Sequence, residues 1–281
     1  MVLRRLFVWD SRDACQHIEE HYQRHGHCVV VFLDFALVMK WRLLESQHTD
    51  MQRDYLAAVE AADVLLPDGI ALQLFASWGR FVDRMPHNLN GTDFIPQLLA
   101  YLHDRGSVSV YIFSVYDDRI GKDQSWTHRA AHVLEEQYPG LMVRYIYQEE
   151  YALRWQELFD WDRLSAVYAD DDATYKLFIH ATGTPFQEQW VATHAWKLQQ
   201  MWSIHLAAGW FLDFVSGFEE RAPQRIVRAR VLETFWRIVR HPKKNLHKFL
   251  SMFGVVRYLW WRLWHHMWSI LWATTYESKK R

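Results

Sequence analysis

Cys28-Val-Val-Val-Phe-Leu-Asp34 and, after a helical pattern at 50–62, Val64-Leu-Leu-Pro67-Asp68-Gly69-Ile70 decide how this chain folds. Each is a short, unbroken apolar run that ends on an aspartate, as expected of a strand buried on both faces. Further runs of the same type occur at 108–114, 141–147, 177–182 and 204–208. Helical periodicity separates them, at 13–24, 92–104 and 187–201 among others. Buried strands alternating with amphipathic helices predict an α/β, Rossmann-like fold: a mostly parallel sheet flanked by helices. In such sheets ligands gather beyond the carboxyl ends of the strands.

Two junctions lie at such ends. At Pro67-Asp68-Gly69 the chain leaves a strand, turns and enters an apolar helix, which puts Asp68 at the rim. At His180-Ala-Thr182-Gly183-Thr184-Pro185 a strand meets a glycine turn, with a proline placed for the first turn of a helix. The free N–H groups of that helix start suit a phosphate or a sugar oxygen. Taken singly, each is an ordinary turn or helix-start signal.

The chain has 281 residues, half of them hydrophobic, enough for one large domain and an appendage. Its two cysteines are too few for a disulfide framework, and the N-terminal residues lack the apolar stretch and cleavage site of a signal peptide, so a cytoplasmic protein is expected. The net charge of −1 conceals an asymmetry: residues 1–220 carry −13, and residues 221–281 carry +12 and six of the sixteen tryptophans. The division expected is a core at 1–220 and a basic, Trp-rich helical appendage at 221–281 that meets something anionic.

Between 255 and 273 the polar residues Tyr258, Arg262, His265, His266 and Ser269 share one narrow helical arc. Trp260, Trp261, Trp264, Trp268 and Trp272 cover the rest with leucine, isoleucine and methionine. Charges interrupt the segment and it is barely one bilayer-span long, so the expectation is a helix lying in the membrane interface, not one crossing it. The competing reading is that this face packs on the protein's own core.

Taken in order, several segments resemble the WecG/TagA/CpsF family of bacterial glycosyltransferases. They are Ala62-Asp63-Val-Leu-Leu-Pro67-Asp68-Gly69, Asn90-Gly91-Thr92-Asp93, Thr182-Gly183-Thr184-Pro185-Phe186-Gln187-Glu188, Gly209-Trp-Phe-Leu-Asp213, Arg221-Ala222-Pro223, Leu232 to Arg237, and Pro242-Lys-Lys244. Short motifs in the right order and spacing are far more specific together than singly.

The resemblance implies inverting, metal-independent transfer of an N-acetylmannosamine-type or related hexose from a UDP-sugar donor to an undecaprenyl-diphosphate-linked acceptor, a polyprenyl lipid, for a cell-surface polysaccharide. No cofactor is implied. Asp68 is the implied catalytic base and Gln187 is implied to help hold substrate, while Arg237, Lys244 and His247 are implied to meet the diphosphate. Gly69, Gly91, Thr92, Gly183, Pro185, Glu188, Asp213 and Arg221 are implied to line the substrate site. So is Asp34, in Phe32-Leu33-Asp34 where the family usually has Thr-x-Asn; Phe186 stands where lysine is common.

The expected location is the inner face of the plasma membrane, peripherally bound through the C-terminal helix, with a homo-oligomer left open. A degenerate relative that binds a nucleotide sugar or a partner without turnover is the alternative. Nucleic acid is not an expected partner, because tryptophans at helical spacing do not suit a duplex groove. Asp170-Asp171-Asp172 reads as a solvated loop, not a metal-binding Asp-x-Asp, and His25-Gly26-His27-Cys28 reads as a helix-to-strand turn.

Overall fold

The computed structural model describes residues 2–41, 43, 47–116, 125–149, 159–220 and 260. The strands are β1 (His27–Asp34), β2 (Val64–Asp68), β3 (Val108–Val115), β4 (Met142–Glu149), β5 (Tyr175–Ala181) and β6 (Ser203–Ala207). They form one sheet in the order β2-β1-β6-β5-β3-β4. Every pairing is parallel, so all the carboxyl ends lie along one edge. The fold is α/β and Rossmann-like, as the apolar runs predict, and each expected strand is present with ends shifted by no more than two residues.

Burial on both faces explains the continuous hydrophobic runs. Val30, Val31 and Leu33 are all buried although they alternate in direction along β1. On one face Ile18, Leu98, Trp126, Leu134 and Phe211 join the strands in a common core, bringing in the helices Ser11–His25, Gly91–His103, Trp126–Gln137 and Gly209–Val215. On the other, Tyr111, Phe113 and Phe178 meet Leu164, Trp190 and Val191 of the helices Trp161–Ala169 and Phe186–Thr193. The helix Asp50–Ala61 packs on Phe186–Thr193, linking the ends of β1 and β5.

Two readings change. The helical pattern at 187–201 is two helices, Phe186–Thr193 and Ala195–Leu198, with the break at His194. There the imidazole Nδ1 lies 2.8 Å from the Trp190 carbonyl oxygen, an acceptor it shares with the His194 backbone N–H at 3.1 Å. Asp171 is buried, not solvated: it accepts from Ser109 Oγ at 2.9 Å and Tyr111 OH at 2.7 Å, at the opposite end of the sheet from the aspartates of β1 and β2. Phe32 is a core residue, as its place in a buried strand predicts, edge-to-face with Phe94 at 6.2 Å. The turn at His25-Gly26-His27 is as expected, Gly26 closing the first helix at φ 77° with its N–H on the Tyr22 carbonyl.

The chain divides into two compact units, Met1–Arg221 and Ala222–Arg281. Of the residues expected to act in the second, Trp260 is described, as helical and exposed. Arg237, Lys244, His247, Trp261, Trp264, Trp268 and Trp272 lie outside the described residues, as does Arg221. No helix among the described residues is long and apolar enough to cross a membrane.

Candidate active site

Asp34 and Asp68 end neighbouring strands and are register partners, which sets the two carboxylates side by side on the carboxyl edge. Asp34 has a structural duty as well: one carboxylate oxygen accepts from Leu37 N at 2.7 Å and caps the helix Phe35–Lys40. Asp68 is half-buried and precedes Gly69, whose φ of 88° and ψ of 151° start the helix Ile70–Trp78. No atom lies within 4 Å of where a Gly69 Cβ would sit, so glycine is required here by backbone conformation rather than by space.

The Pro67-Asp68-Gly69 turn is pinned from outside by the segment before the next helix. Gly69 N–H donates to Asn88 Oδ1 at 2.8 Å, and Leu89 N–H to the Pro67 carbonyl at 2.9 Å. Two residues on, Asn90 caps the helix Gly91–His103 by accepting from Asp93 N at 2.9 Å. Gly91 starts that helix against the β1 end, its missing Cβ 3.7 Å from the Phe32 ring. Thr92 follows, half-buried. Asn88, which holds this turn, was not anticipated from the sequence; its offset of nineteen residues from Gly69 carries no local signal.

At the β5 end Gly183 has φ 84°, and Gln187 N–H closes the turn on its carbonyl at 3.1 Å. Pro185 sits at the cap of the helix Phe186–Thr193, not inside its first turn. Gln187 and Glu188 are buried. Glu188 Oε1 accepts from Thr184 Oγ1 at 3.0 Å and from Gln187 Nε2 at 2.9 Å. Burial pushes the Glu188 carboxyl up to about 7, against those two hydrogen bonds, which favour the charged form. Gly209 follows β6, and a Cβ there would lie 3.4 Å from Gln187 Oε1. Asp213 is buried one turn further along the same short helix.

Several buried polar atoms along this edge have no hydrogen-bond partner among the described residues: Thr182 Oγ1, Gln187 Oε1, Glu188 Oε2 and the Tyr55 hydroxyl. Such atoms are costly in a folded protein unless something else satisfies them. Tyr55, on the helix Asp50–Ala61, was not anticipated. Burial chiefly raises its pKa, and the charges of Glu188 and Asp34 add to the rise, so its hydroxyl lies within electrostatic reach of both strand ends.

The structure therefore gathers Asp34, Asp68, Gly69, Gly91, Thr92, Gly183, Pro185, Gln187, Glu188 and Asp213 along one sheet edge. From β2 to β5 is three strand spacings, about 14 Å. An edge of that length with hydrogen-bonding atoms at both ends can hold an extended, polar, multi-ring ligand, with a carboxylate at one end to take a proton. Among the described residues no three His, Cys, Asp or Glu side chains converge as a metal ion would need.

A model of the glycosyl transferase WecG/TagA/CpsF family matches residues 4–269, nearly the whole chain. No curated protein matches the chain.

Proposed function

The chain belongs to the WecG/TagA/CpsF family of glycosyl transferases, and on that premise we propose that it moves a hexose of N-acetylmannosamine type from a UDP-sugar to an undecaprenyl-diphosphate-linked sugar, at the inner face of the plasma membrane. The observation that carries this reading is Asp68 at the carboxyl end of β2, held there by a glycine turn that the Asn88 side chain pins.

Direct displacement at an anomeric carbon needs a base to take the acceptor hydroxyl's proton as its oxygen attacks. A positioned carboxylate supplies on the order of 10²–10⁴-fold. In this reading Asp68 takes that proton, the new glycosidic bond forms on the face opposite the departing UDP, and the anomeric configuration inverts. The leaving diphosphate gains charge as the bond breaks, and cationic side chains can stabilise it in place of a metal. Arg237, Lys244 and His247 of the basic segment are assigned that role, and Arg221 lies at its start.

Asp34 and Asp68 next to each other would repel a diphosphate, which assigns the sugar to the β1/β2 end of the edge. The lipid carrier stays in the bilayer, so only its diphosphate-sugar head needs a binding site. The test is UDP release from a panel of UDP-sugars with a detergent-soluble lipid-diphosphate-sugar acceptor. Acceptor-dependent release that survives EDTA supports the reading. Release abolished by EDTA would contradict the metal-free mechanism, and UDP binding without release from any donor would favour a binding protein of the same fold.

A further inference from the structure

The Gln187 amide is held in one orientation by the neighbouring Glu188 carboxylate. Gln187 Nε2 lies 2.9 Å from Glu188 Oε1 and 3.5 Å from Thr184 Oγ1. The Thr184 hydroxyl is itself 3.0 Å from the same Glu188 oxygen. A carboxylate oxygen with these two neighbours accepts from both, so the Gln187 nitrogen must face Glu188 and its carbonyl oxygen must face away. That oxygen, Oε1, points to the strand-end edge beside Gly209, buried and without a hydrogen-bond partner among the described residues. Protonation of Glu188 leaves the arrangement intact, because Oε2 carries no other hydrogen bond and can take the proton while Oε1 still accepts.

We propose that Glu188 is a positioning residue that turns the Gln187 carbonyl oxygen toward the bound donor, making a subsite that only accepts hydrogen bonds and selects nucleotide sugars presenting an O–H or N–H there. The inference rests on reading this edge as the glycosyl-transfer site. Gly209 completes the subsite by leaving Oε1 uncovered: an alanine methyl would sit 3.4 Å from it, with the nearest backbone atom, Ala181 Cα, at an ordinary 3.5 Å.

The experiment is steady-state UDP release by the full chain, with donor KM and kcat read separately. Losing one hydrogen bond to substrate corresponds to about a tenfold change. Gln187→Met and Glu188→Met are each expected to raise donor KM about tenfold, on the scale of that one hydrogen bond, with kcat changed far less. Glu188→Gln keeps an acceptor oxygen and recovers most of the loss. The double variant Gln187→Met/Glu188→Met is no worse than either single one, since Glu188 acts through Gln187.

Glu188→Gln as impaired as Glu188→Met, or additive losses in the double variant, overturns the proposal. If Glu188→Met fails to fold, Gly209→Ala decides: a raised donor KM supports the uncovered subsite, and an unchanged one overturns it. Wild-type turnover that Asp68→Asn abolishes, with donor KM unmoved in Gln187→Met, sinks this inference alone. No wild-type release from any donor sinks the glycosyl-transfer reading and this inference with it.

Discussion

Gly69 stands where the backbone would strain any L side chain, although there is room for one. Its φ of 88° and ψ of 151° fall in a region that L side chains avoid, at a cost of about 1–3 kcal/mol. Gly69→Ala is expected to lower unfolding free energy by about that much in a urea titration; an unchanged midpoint would show that the turn relaxes elsewhere. Asp171 offers a second check at this scale. Replacing it with Ala leaves the hydroxyls of Ser109 and Tyr111 without their acceptor and should destabilise by about 2–4 kcal/mol. Donor KM should not move, because Asp171 lies at the opposite end of the sheet; a changed KM would mean that the acidic run has a role in the site. The turn that carries Asp68 and Gly69 is legible in the sequence because a strand-turn-helix junction announces itself locally, whereas Gln187 stands out only through the resemblance to a family. Tyr55, Asn88 and the burial of Asp171 are not, because each depends on a partner brought close only by the finished fold.

The strands are the most legible elements, since burial on both faces leaves an unbroken apolar run in the sequence. Their spatial order is not legible, because it depends on which way each crossover turns. Two of them, β5 and β6, carry a buried chain of polar groups. Ser203 Oγ donates to the Met201 carbonyl at 2.8 Å, so His205 Nε2 must donate to Ser203 Oγ at 2.9 Å. His180 Nε2 in turn donates to His205 Nδ1 at 3.2 Å.

Both imidazoles are buried and neutral: burial drives His205 down to about 3, and His180 well below its usual value. In the unfolded chain each titrates near 6.5. The unfolded state therefore binds more protons below that pH, and the stability these groups contribute is lost as pH falls from 6.5 toward 3. Glu188 acts in the opposite sense between its ordinary 4.5 and about 7, where the folded state holds the extra proton. Two histidines against one glutamate predict net loss on acidification. Urea midpoints measured across this range should show it, with a shallower slope in His205→Asn; an equally steep slope in that variant would contradict the assignment.

For the molecule as a whole, the +12 of residues 221–281 set against the −13 of the rest is the feature behind the proposed membrane location. A basic, Trp-rich segment suits an anionic membrane surface, where each Lys or Arg contributes about 1 kcal/mol. Removing residues 250–281 should abolish sedimentation with anionic liposomes, and retained binding would contradict the membrane role of the tail. The central claim is that this edge performs glycosyl transfer with Asp68 as base. UDP release in the presence of the lipid-linked acceptor, compared between wild type and Asp68→Asn, tests it most directly. The account predicts acceptor-dependent release that falls by at least about a hundredfold in the variant while UDP binding survives. Equal release from both proteins would contradict it.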